Sequence, residues 1–148
     1  MSLSRRFEVE HRQGRLLLDE LERTVELNAP PNAQLTAWRE FHGALLSHLE
    51  QEERLLLPHL FRKDERTARA LMTEHRHLRR RVSLLEQAFE DASPQLVVVR
   101  SFGNELRAHE SREHVSLYRW CDEHLTPDEK VKIVGAIREH HVRRPAGG

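Results

Sequence analysis

His48-Leu49-Glu50-Gln51-Glu52 is the stretch from which the rest of the chain is read. A histidine and a glutamate at i and i+4 stack on one face of an α-helix, one turn above the other. An imidazole and a carboxylate so placed reach one metal ion, or one each of two neighbouring ions. One such pair arises by chance on any charged helix. Here it returns in a similar apolar setting as His109-Glu110-Ser111-Arg112-Glu113. Two pairs point to a helical bundle with two metal ions between its helices, iron foremost.

The composition agrees. A chain of 148 residues fits one domain with one sizeable core. It has six glycines and six prolines, 32% charged residues, and apolar residues at helical spacing, which predicts an all-α protein. Lys+Arg and Asp+Glu are 24 each, so no global basic field recruits nucleic acid or an anionic membrane. The single cysteine, Cys121, excludes an internal disulfide and fits a reducing compartment. With no membrane-length apolar run and no signal-peptide core, a soluble cytoplasmic protein is expected.

The periodicity predicts helices over residues 4–28, 32–62, 64–91, 94–124 and 127–141, with a flexible tail at 143–148; residues 1–142 are read as one domain. Apolar stripes mark the inner faces. The first runs Phe7, His11, Gly14, Leu18, Leu21 and Val25, with Gly14 leaving room beside the histidine. The second includes Phe41, Leu45, His48, Glu52, Leu55 and His59, and Pro58 should loosen its last turn. The third is centred on His75, with His77 pointing to solvent and Arg79 inward. The fourth includes Val98, Phe102, Glu105, Leu106, His109, Glu113, Ser116, Leu117 and Trp120, and Pro94 is expected at its first helical position. Asp64 and Thr126 are expected helix caps. The chain also repeats: Glu10-His11-Arg12 returns as Glu74-His75-Arg76, and His48/Glu52 as His109/Glu113. Two helical hairpins related by a pseudo-two-fold bring four histidines to one level of an up-down four-helix bundle. The expected metal-ligating set is His11, His48, Glu52, His75, His109 and Glu113, neutral imidazoles and carboxylates suited to non-haem iron, manganese or zinc. Without cations two buried carboxylates would have few partners.

These motifs, with Leu57-Pro58 and Leu125-Thr126-Pro127-Asp128-Glu129, resemble the hemerythrin-like, or HHE cation-binding, family of four-helix di-iron proteins. The resemblance spans residues 7–126. It implies two iron ions joined by an oxo or hydroxo bridge, with manganese or zinc as lesser candidates. It implies His11 and His48 on one iron, His75 and His109 on the other, and Glu52 and Glu113 bridging. It further implies binding of dioxygen, peroxide or nitric oxide, as a binder, a sensor or a peroxide-decomposing enzyme. The sequence departs from the oxygen carriers at Arg79, where they place a second histidine on the third helix. That arginine is expected to swing outward or pair with Glu105 or Glu110; these two acids are candidates to fill the vacated position or support a ligand, with a surface or supporting acid the preferred reading of both. His59 is expected at the bundle end.

Other classes fit less well. A zinc protease needs a second histidine where Glu113 stands. A ferritin-like oxidase needs two Glu-x-x-His motifs, and only Glu8-Val9-Glu10-His11 fits. A metal-free helical interaction module leaves the coincidence of four histidines and two glutamates unexplained. The run from Arg76 to Arg81 reads as a solvated face rather than a nucleic-acid site.

Overall fold

The computed structural model describes residues 2–143, and among them every regular element is helical. The tail expected at 143–148 lies outside the described residues except for Arg143. Helix α1 spans Leu3–Glu26 and α2 spans Pro31–Gln51. A π-helical turn, Glu52–Leu56, joins α2 to α3, Leu57–Lys63. Helix α4 is Glu65–Glu90 and α5 is Leu96–Glu113. A second π turn, His114–Tyr118, leads into α6, Arg119–His124, and α7 is Pro127–Arg143. None of these helices is long and apolar enough to cross a membrane.

Local chemistry sets the ends. Ser2 caps α1, and Asp122 of α6 accepts bonds from the Leu3 and Ser4 amides at 2.7 and 3.3 Å, tying the two helices together. Asp64 caps α4 as expected, accepting from Thr67 N–H at 3.1 Å. Thr126 and Glu129 form a reciprocal capping box before α7. Helices α1 and α4 close alike: Asn28 and Ala92 take left-handed φ of 52° and 54°. Ala29 N–H then reaches Thr24 O, and Ser93 N–H reaches Ala88 O. That closure carries the chain past Pro94, so α5 starts at Leu96 rather than at the proline.

Helix α1 contacts α2, α2 contacts α4, α4 contacts α5, and α5 contacts α1. Inside this ring lie two apolar clusters. One gathers Leu18, Leu21, Trp38, Phe41, Leu78, Val82, Phe89 and Phe102. The other gathers Leu3, Phe7, Leu57, Leu60, Leu71, Tyr118, Cys121 and, from α7, Ile133, Val134 and Ile137. Along each long helix the expected ligand residues fall where one cluster gives way to the other: His11 between Phe7 and Leu18, and His75 between Leu71 and Leu78. The polar layer is thus sealed on both sides.

The π turns move the inner faces off the expected stripes. Leu57 N–H bonds Glu52 O, an i→i−5 bond in place of the α-helical one. Pro58 just beyond has no N–H to offer, in keeping with the expected loosening. Leu56, Leu57 and Leu60 become the buried residues, in place of Leu55 and His59. His59 lies at the outer end, 3.3 Å from Glu129. In the second turn Arg119 N–H bonds His114 O, and Tyr118 and Cys121 replace Ser116 and Trp120 as buried residues. No proline accompanies this turn, and nothing in its local sequence explains it. Val99, not Val98, faces in at the start of α5.

Candidate metal centre

The structure brings all six expected residues together, as two groups that share both glutamates. His11, His48, Glu52 and Glu113 form one, and Glu52, His75, His109 and Glu113 the other; ligand atoms within each lie within 4.8 Å of one another. In the first, His11 Nε2 is 2.8 Å from His48 Nε2, and His48 Nε2 is 3.4 Å from Glu52 Oε2. In the second, Glu113 Oε2 is 3.0 Å from His75 Nε2 and 3.1 Å from His109 Nε2, and Glu52 Oε1 is 3.4 Å from His75 Nε2. Glu52 therefore presents one oxygen to each group, the geometry of a bridge. Glu52, Glu113, His75 and His109 are at most 1% exposed.

Three imidazoles are held from outside by carboxylates. His48 Nδ1 is 3.0 Å from Glu10, His75 Nδ1 is 2.7 Å from Glu53, and His109 Nδ1 is 2.7 Å from Glu74. Each contact aims the opposite nitrogen, Nε2, at the centre. Carboxylate–imidazole pairs of this kind fix tautomer and ring orientation at metal sites. The repeated Glu-His dipeptide thus does two jobs: His11 and His75 point inward, while Glu10 and Glu74 steady a histidine of the neighbouring helix. Arg112 binds Glu74 and Arg79 binds Glu53.

Unpaired atoms and displaced protons test whether cations fit. Glu52 Oε1, Glu113 Oε1 and His109 Nε2 are buried without a hydrogen-bond partner. His109 Nε2 lies 3.1 Å from Glu113 Oε2, but out of line for a hydrogen bond. Atoms of this kind cost about 1–3 kcal/mol each when left unmatched. Burial alone would lower the pKa of His75, yet its contacts with the Glu113, Glu52 and Glu53 carboxylates push it up to about 11. His48 and His109 are likewise raised against burial by their carboxylate neighbours. His11, buried and beside His48, drops to about 3. Burial and the Glu52 charge raise Glu113, whereas Glu52, despite burial, is held low by His48 and His75. Imidazolium protons are compensating carboxylates at positions suited to a divalent cation. Buried His and Glu with unpaired atoms fit a metal with nitrogen and oxygen ligands.

One expected pairing changes, and the structure places the other residues singled out. Arg79 pairs with Glu53 rather than with Glu105 or Glu110, because Glu53 on the neighbouring helix is closer to hand. Glu105 does not approach the cluster: Arg81 and His77 draw it to the outer face of α4, with His77 at 2.7 Å. Glu110 is largely buried, 3.8 Å from Arg15, and burial pushes its pKa up to about 7. Gly14 has open space beside it, in keeping with the room expected there, since a Cβ would meet nothing within 4 Å.

The stripes missed one residue in the layer itself. Tyr118 Oη lies 2.8 Å from His11 Nε2 and 3.1 Å from His48 Nε2, and its hydroxyl donates to Glu52 Oε2. Counting about 100° per residue, Tyr118 would sit about 140° from Glu113 on a regular helix, outside the inner face. The π turn swings it in. The outer acids Glu10, Glu53 and Glu74 belonged to the quoted motifs, but their roles lie on other helices.

No family model, curated protein or solved structure matches the chain.

Proposed function

We propose that this chain is a hemerythrin-like four-helix bundle that holds two iron ions and uses them to bind dioxygen or a related small oxidant, or to sense iron, oxygen or nitric oxide. The observation that carries the reading is the pair of buried ligand groups joined through Glu52 and Glu113. Such a pair of ions, when bound, supplies reversible electron exchange with a small diatomic or peroxide ligand. His11 and His48 would hold one ion, His75 and His109 the other, and the two glutamates would span both. Glu10, Glu53 and Glu74 keep the imidazoles aimed inward, and the flanking apolar clusters exclude bulk water.

Peroxide decomposition is the second reading, and Arg79 favours it. Its guanidinium cannot ligate and is engaged by Glu53, so α4 offers one imidazole rather than two. Metal analysis of the purified chain, with spectra taken with and without air and a peroxide-decay assay, tests both. Two irons per chain with an air-dependent near-ultraviolet spectrum support the di-iron reading. A spectroscopically silent zinc, or no metal after loading, refutes it. Rapid peroxide loss at full iron content selects the second reading over binding alone.

A further inference from the structure

We propose that Tyr118 is itself a ligand, binding as phenolate through Oη to the ion held by His11, His48 and Glu52. The inference rests on the di-iron reading above and concerns one residue of that site. Metal–ligand bonds of about 2.0–2.2 Å at right angles place neighbouring donor atoms about 3 Å apart. Around Tyr118 the donors have that spacing. Oη is 2.8 Å from His11 Nε2 and 3.1 Å from His48 Nε2, and these two nitrogens are 2.8 Å from each other. Glu52 Oε2 closes the set, 3.4 Å from His48 Nε2 and hydrogen-bonded to Oη.

Packing keeps the oxygen there. The Tyr118 ring is fully buried and stacks on Phe7 with centroids 5.1 Å apart and planes 12° from parallel. It cannot withdraw without opening that core. A tyrosine with only a structural role needs a single acceptor for its hydroxyl. This one has a carboxylate and two imidazole nitrogens converging on one oxygen. The π turn that delivers it is a rare device that concentrates at functional sites.

The two halves of the site also differ here. Five residues after Glu113 stands Tyr118; five after Glu52 stands Leu57, buried and apolar. The phenol therefore serves the His11/His48 group and has no counterpart at the His75/His109 group. On ligation the phenolic proton leaves to solvent and an oxygen lone pair forms the bond to the cation; no electron is transferred. Metal binding releases ligand protons in this way generally.

Tyr118 is the single tyrosine of the chain, so any tyrosinate signature belongs to it. The full chain is loaded with ferrous iron without air, oxidised to the ferric state, and assayed for iron, visible absorption and resonance Raman scattering. A phenolate-to-iron charge-transfer band with tyrosinate ring vibrations is expected. Tyr118→Phe should lose both while keeping iron on the histidines and glutamates. Iron bound at two per chain without the band overturns the ligand assignment and leaves the di-iron reading standing. A band that persists in Tyr118→Phe overturns it equally. Failure to bind iron at all overturns both. Because the native chain has only this tyrosine, its own spectrum decides the matter even if the variant folds poorly.

Discussion

Glu53→Ala, set against Arg79→Ala, isolates the support of one ligand. His75 is 0% exposed and its Nδ1 lies 2.7 Å from Glu53, so the acid holds a ring that has no water to turn to. Loss of such a partner weakens metal binding by about 10–100-fold, in line with the loss of a charged hydrogen bond worth about 1.5–3 kcal/mol. Among the described residues Arg79 makes no hydrogen bond or ion pair with an imidazole. It contacts Glu53 from a side chain 36% exposed, and exposed pairs are worth about 0.2–1 kcal/mol, at most about fivefold in affinity. His75→Ala removes a ligand outright and strands three carboxylate contacts, with Glu52, Glu53 and Glu113. The expected order of ferrous affinity is native, Arg79→Ala, Glu53→Ala, then His75→Ala. A competition titration against a chromophoric chelator measures it, with melting curves to confirm folding. An Arg79→Ala defect as large as that of Glu53→Ala would refute the reasoning, as would a Glu53→Ala affinity within about twofold of native.

Two further outcomes are expected. In chelator-stripped protein His75 is raised to about 11, and His48 and His109 are raised with it. Their stabilisation is complete below the unfolded imidazole value of about 6.5 and is lost as pH rises toward the folded values. Iron-loaded protein responds oppositely, losing metal as pH falls through the histidine range. Melting temperatures of the two forms should therefore slope in opposite directions with pH around neutrality, and parallel slopes would count against the cluster as described. Ala92 takes φ of 54°, which an L-residue adopts at a cost. Ala92→Gly should raise stability by about 0.5–1 kcal/mol, or about 2–4 °C in Tm, at unchanged iron content; no gain would show that the α4 closure carries no strain.

The helical character and the six converging residues were legible because α1, α2, α4 and α5 keep a regular period up to the layer. On a regular helix, position along the chain gives direction in space, so His11, His48, Glu52, His75, His109 and Glu113 could be read off stripes. Legibility ended where the period broke. Past Glu52 and Glu113 the π turns insert an offset, and the expected Leu55, His59, Ser116 and Trp120 give way to Leu57, Leu60, Tyr118 and Cys121. Pro58 hinted at the first break, and no residue hinted at the second.

The amino-acid order by itself determined the helices, the repeat and the residue types that converge, because these depend on neighbours within a few turns. The tertiary structure alone decided the pairings: Glu10 with His48, Glu53 with His75 and Arg79, Glu74 with His109, and Tyr118 with the first group. Each is a contact between different helices, set by how those helices are rotated and shifted against one another in the packed core, and no spacing along a single helix encodes that.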